Sequence, residues 1–177
     1  HYLLQAMQEI LQNCPEAHIK VAGISVLGVN GIKSRIKIPA YGKYLRRLIL
    51  KNRLEGKVRV LGNLSAEEMK REYLSAQIFV CPSAVENSPN SVAEGQLLGV
   101  PVAASRTGGI PDVVKDGVSG LLFEKGNIHE LAACVSRILT DKQLAKELSA
   151  SERETAAKLY NGENNYQKLI EIYQSIE

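Results

Sequence analysis

The sequence has 177 residues, 45% of them apolar, and a formal charge of +3. That length suits one domain with a full core, and no stretch approaches the roughly eighteen apolar residues of a membrane-spanning helix. Cys14, Cys81 and Cys134 lie far apart with no CxxC pair, which argues against a disulfide framework or a cysteine metal site and for a reduced, cytoplasmic protein.

The first residues already follow helical spacing, with Leu3, Leu4, Met7, Ile10 and Leu11 on one face and an end near Asn13-Cys14-Pro15. Without a charged leader or cleavage site, this start predicts no secretory signal. Ile19 to Ala22 reads as a short strand leading to Gly23, and Gly28 to Ala40 as a loop. Tyr41, Leu45, Leu48 and Ile49 form the apolar face of the next helix, closed by Gly56. Val58 to Leu61 is a strand, and Gly62-Asn63-Leu64 turns into a helix. Ser65 caps that helix, with Glu68 at capping-box spacing and Met69, Tyr73 and Leu74 expected to pack it down.

Ile78 to Cys81 is a run too short for a helix and apolar enough for a strand buried on both faces. After a turn, Ser88 is expected to cap a helix that has Pro89 at its first position and stops near Gly99. Val102 to Ser105 is the following strand, giving the crossover of a parallel sheet. Arg106 to Pro111 is a glycine turn opening a short helix through Lys115. Asp116-Gly117 is another turn, and Gly120 to Phe123 the final strand. Helices over about Ile128 to Thr140, Asp141 to Leu159 and Glu163 to Ile176 complete the chain. The alternation predicts an α/β, Rossmann-like, three-layer α/β/α domain that binds ligands beyond the carboxyl ends of its strands.

Lys33, Arg35, Lys37, Lys43, Arg46, Arg47, Lys51, Arg53, Lys57 and Arg59 share a stretch whose one acid is Glu55. With no aromatic stacking pattern and no DNA-reading motif, it reads as a solvated basic helix and not as a nucleic-acid site. Weak attraction to an anionic membrane or to a phosphate-bearing substrate is the other reading. His1, His18 and His129 lack metal-ligand spacing.

Two carboxylates mark the central unit. Glu86 lies in the loop, and Glu94 in the helix shares a face with Asn90 and Ser91 on one side and Leu97 and Leu98 on the other. A carboxylate among apolar neighbours needs donors, and a ribose diol supplies two. The helix start at Ser88, at the carboxyl end of a strand, favours a phosphate. On these residues alone, a capped helix with a salt-bridged Glu remains the alternative.

Glu86 and Glu94 with seven residues between them, Gly95, Leu98-Gly99-Val100-Pro101-Val102 and Thr107-Gly108-Gly109-Ile110-Pro111-Asp112 together resemble the donor-binding half of a retaining glycosyltransferase of the GT-B fold, family 4. Leu61-Gly62, Cys81-Pro82-Ser83 and Asp116-Gly117 with Gly120 extend the resemblance through most of the chain. It implies the C-terminal, Rossmann-like domain of a two-domain enzyme, taking UDP-sugar or GDP-sugar as donor without metal or cofactor. A separate N-terminal domain would bind a saccharide or lipid-linked acceptor, and the whole enzyme could associate peripherally with a membrane.

By the same resemblance, Glu86 is the catalytic residue, lying against the donor sugar and stabilising positive charge at the anomeric carbon. Glu94 holds the ribose hydroxyls. Ser88, Pro89, Asn90 and Ser91 face the sugar and diphosphate, and Gly62 and Leu64 border the base. Two departures stand out. The glycine-rich run expected after the first Glu is Asn87-Ser88-Pro89-Asn90, and Pro89 has no N–H to give. The Gly-Arg strand end and the Lys that clamp the diphosphate would lie before His1. The resemblance therefore implies a fragment without its first strand, a sheet interrupted between the strands at Ile19 and Ile78, and no turnover alone. A silent nucleotide-sugar-binding module, a GT-B-fold epimerase and a flavodoxin-like phosphate binder are the alternatives.

Overall fold

The structure, a computed structural model, describes residues 1–23 and 39–176. In chain order the elements are α1 (Tyr2–Asn13), β1 (Ile19–Ala22), α2 (Ala40–Lys51), β2 (Val58–Gly62), α3 (Ala66–Ser75), β3 (Phe79–Cys81) and α4 (Asn90–Leu98). They continue as β4 (Val102–Ser105), α5 (Ile110–Val113), β5 (Leu121–Phe123), α6 (Ile128–Thr140), α7 (Lys142–Leu159) and α8 (Gly162–Gln174). The expected loop from Gly28 and the cations Lys33, Arg35 and Lys37 fall outside the described residues up to position 38. Ala40 proves to be the first residue of α2.

Every strand pairing is parallel, and the strands form two sheets among the described residues. One is β1-β2, the other β3-β4-β5. Ile19 pairs with Val58, Phe79 with Val102 and Ala103 with Leu121. No ladder joins β1 to β3, so the interruption expected between those two strands is present in the described residues. Ile19, Val58, Ile78 and Val80 nevertheless pack on the same apolar cluster, so both sheets share one core.

All four side chains of β4 are buried, and their direction alternates. Ala103 joins Leu121 and Phe123 in a layer with Leu4, Met7 and Ile10 of α1, Leu45 and Leu48 of α2, and Leu131, Val135 and Ile138 of α6. Val102 and Ala104 face the opposite side, where Val92 of α4 and Ile110 of α5 cover them together with Leu122. A continuous apolar strand followed by helices of period 3.6 has no other economical solution than this three-layer sandwich. Each fully buried aliphatic side chain contributes about 1.5–3 kcal/mol of transfer free energy.

Two expectations need correction here. Leu74 does not pack α3 down; it is 57% exposed, because Tyr73, at 4%, takes the inward direction. Ser88 does not cap α4. The residue before a proline is pushed to extended backbone, so the helix starts one residue later than expected and Pro89 occupies the cap position, with no side-chain cap bond. Its carbonyl instead accepts the N–H groups of Val92 and Ala93, at 3.0 and 3.3 Å. The end of α4 is as expected, with Gly99 left-handed at φ 71°.

Candidate functional site

Because β3 and β4 run parallel, the loops leaving them lie at the same end of their sheet. The β2 exit turns at Gly62, whose φ of +77° favours glycine, and passes Leu64 into α3. That helix begins with a complete capping box. The Ser65 hydroxyl accepts the Glu68 N–H, and the Glu68 carboxylate accepts the Ser65 N–H at 2.8 Å and its hydroxyl at 2.7 Å. These bonds hold the Glu68 carboxyl below its usual range.

With its start fixed, α3 directs Met69, Lys70 and Tyr73 at α4. Between the two helices lies an open cleft of about 490 Å³, walled on one side by these residues and Leu64 and on the other by Glu94, Leu97 and Leu98. The lining is apolar apart from Glu94, Lys70 and the polar atoms of Ser65 and Tyr73. The Tyr73 hydroxyl donates to the Ser91 carbonyl at 2.9 Å and sits beside the Glu94 carboxylate. Burial first, and then the negative charge of Glu94, push its ionisation well above the usual range, so it remains a neutral donor. The Tyr73 ring meets Phe79 edge-on at 5.3 Å. Phe79 in turn lies against Gly95, where a Cβ would be 3.4 Å away, so the small residue lets α4 settle on β3.

Glu86 occupies the loop between β3 and α4 and is half-buried. Its carboxylate has no hydrogen bond or ion pair to another described residue. Backbone contacts from the β4 exit hold this loop. The Ser105 hydroxyl donates to the Ser83 carbonyl at 2.6 Å, and the Gly109 N–H donates to the Asn87 carbonyl at 3.1 Å.

The family model for glycosyl transferases group 1 matches residues 1–155. The chain belongs to this family. Over 176 residues it is 30% identical to the D-inositol 3-phosphate glycosyltransferase of Corynebacterium urealyticum, covering 99% of this chain and 40% of that enzyme. The fold matches Anabaena Alr3699/HepE, solved with UDP, at TM-score 0.82 and 23% identity, over 99% of this chain and 44% of the other. It also matches the sucrose-phosphate synthase of Thermosynechococcus elongatus at TM-score 0.76 and 24% identity, over 98% and 42%. The chain thus spans about 40% of the length of such relatives.

For a group 1 glycosyl transferase the expected residues fall into two places. Glu94, Leu64 and, through its turn, Gly62 gather at the cleft between α3 and α4. Glu86, Ser88 and Asn90 belong to the loop and the start of α4, with Ser88 and Asn90 exposed and Pro89 buried. Ser91 joins the two places, because its carbonyl takes the Tyr73 hydroxyl. Neither Glu86 nor Glu94 is in an ion pair among the described residues. Glu94 is also more exposed than its apolar neighbours suggested, since Leu97 beside it is 48% exposed.

Sequence reasoning treated Tyr73 and Met69 as packing and did not consider Lys70. The four-residue spacing from Met69 to Tyr73 does put them on one helical face, yet only the crossing of α3 and α4 turns that face toward Glu94. No group of acids, histidines and cysteines suited to a metal ion occurs among the described residues.

Proposed function

We propose that this chain is the donor-binding, C-terminal domain of a retaining, family 4 glycosyltransferase that moves a sugar from a nucleoside diphosphate onto a saccharide or lipid-linked acceptor. The observation that carries the reading is the cleft between α3 and α4, where Leu64 faces Glu94, a carboxylate in no ion pair among the described residues, in a group 1 glycosyl transferase chain. Its apolar wall suits the face of a base. The carboxylate suits the two hydroxyls of a ribose, which replace lost water with neutral donors.

The same geometry orders the rest of the donor. The N–H groups of Asn90 and Ser91 precede the first acceptor inside α4, so they are free to meet an anion, and the helix dipole adds to the attraction. Pro89 contributes no N–H, and the diphosphate contact passes to Asn90. Glu86, on the loop just before, lies against the sugar, where its charge offsets the positive charge growing at the anomeric carbon. The departing diphosphate gains charge as the glycosidic bond breaks, and oriented N–H donors stabilise it most at that moment. Uridine diphosphate is the first nucleotide to test, since Alr3699/HepE was solved with it. No metal takes part in this reading, and the acceptor binds a separate N-terminal domain.

The test compares two variants by calorimetry and by transfer assay with the acceptor-binding domain supplied. Glu94→Ala should weaken UDP or GDP binding by about tenfold or more, as expected for a charge-assisted bond of 1.5–3 kcal/mol. Glu86→Ala should keep nucleotide affinity and lose transfer. Chelation of divalent ions should change neither. Unchanged nucleotide binding by Glu94→Ala would remove the basis of this reading.

A further inference from the structure

The Glu86 carboxylate takes no hydrogen bond or ion pair from the described residues, so among them its place is set by its backbone. That backbone belongs to a loop with no helix or strand between Cys81 and Asn90. Something outside the loop must therefore hold it.

The β4 exit meets the requirement at three points. Ser105, 1% exposed, donates its hydroxyl to the Ser83 carbonyl at 2.6 Å, three residues before Glu86. The Gly109 N–H donates to the Asn87 carbonyl at 3.1 Å, one residue after it. Between these bonds, Gly108 lies so close to the Glu86 carbonyl that a Cβ would overlap its oxygen, and a Cβ on Gly109 would overlap the Asn87 carbonyl. Gly108 is also left-handed, at φ +55°. Two glycines in a row are needed because two successive carbonyls of the Glu86 loop are seated against them. The register of β3 on β4, with Cys81 opposite Ala104, brings the two exits side by side.

We propose that Ser105, Gly108 and Gly109 are positioning residues for Glu86: the turn after β4 is a seat that fixes the Glu86–Asn87 peptide and so aims the carboxylate at the donor sugar. The aim at a sugar rests on the donor-domain reading above; the seating of the loop does not. The turn contributes to the rate and not to nucleotide affinity, because the base and ribose are held at the separate cleft between α3 and α4.

The experiment uses the full chain labelled with ¹³C and ¹⁵N, in three variants. Gly108→Ala pushes a methyl into the Glu86 carbonyl, and Ser105→Ala removes the hydroxyl bond with little change of volume. Gly117→Ala is the control for left-handed strain, since Gly117 has φ +74° and open space where its Cβ would be. Gly108→Ala and Ser105→Ala should shift the carbonyl resonances of Glu86 and Asn87 and leave Glu94 in place, and Gly117→Ala should shift none of them. With the acceptor-binding domain supplied, Gly108→Ala should lower kcat about a hundredfold, the scale of a misplacement of about 1 Å. UDP affinity should stay within about twofold, since no nucleotide contact is removed. Ser105→Ala should lie between Gly108→Ala and the parent, and it carries the test if Gly108→Ala does not fold.

Unmoved Glu86 and Asn87 resonances in a folded Ser105→Ala or Gly108→Ala chain would overturn the proposal. So would kcat and UDP affinity falling by the same factor. If the parent chain binds neither UDP nor GDP while those resonances still move, the seat stands and the donor-domain reading fails instead.

Discussion

At the residue scale, the side chain with the most unusual setting is Glu152. It is fully buried in α7; its Oε1 accepts the Val102 N–H at 2.8 Å, and its Oε2 has no partner among the described residues. Burial dominates over that one bond and pushes its ionisation up to about 8 from an ordinary 4.5. The folded state therefore keeps a proton that the unfolded chain gives up. Its contribution is complete below about pH 4.5 and is lost as pH rises toward 8. Thermal unfolding followed from pH 5 to 8.5 should show a declining Tm, the unfolding free energy falling by up to about 1.4 kcal/mol per pH unit. Glu152→Gln, which mimics the neutral acid, should flatten the decline and be the more stable protein at pH 8.5. The sequence could not disclose this group, because Glu152 sits in a run of polar residues and only the packing of α7 on α4 and α6 takes it out of water.

The elements show what periodicity can and cannot tell. The apolar runs located β1, β4 and α6 at their observed bounds, and the Ser65–Glu68 spacing gave the capping box. At Ser88, one of the places where the reading slipped, the effect of proline on its predecessor outweighed the capping preference of serine. The cleft was half legible: Glu94 and Leu64 stood out by motif, but Tyr73 joins Glu94 through the crossing of α3 and α4, which no local pattern encodes. Because the capping box fixes the start of one cleft wall, Ser65→Ala should cost about 1 kcal/mol of stability in urea unfolding. It should also weaken nucleotide binding modestly. Tyr73→Phe, which keeps the ring on Phe79 and removes the bond to the Ser91 carbonyl, should weaken nucleotide binding more than it lowers Tm.

For the molecule as a whole, the apolar layer under β4 and β5 is where stability concentrates. Ile10 of α1 is 1% exposed within the cluster that includes Leu131 and Val135 of α6. Ile10→Ala should therefore cost about 2–5 kcal/mol, the range for a buried aliphatic truncated in a core with limited room to relax.

The straps between α7 and α4 bear on where this chain can be cut. Arg153 donates to the Leu98 carbonyl at 3.0 Å, Ser149 donates to the Gly99 carbonyl at 2.7 Å, and Glu152 takes the Val102 amide. α8 buries no residue at all. The packed part of the described chain thus ends between α7 and α8, near Tyr160. Trimming back to that boundary should leave the melting profile almost untouched, whereas a stop codon a few turns earlier would strip the carbonyl end of α4 of its fastenings and yield insoluble protein.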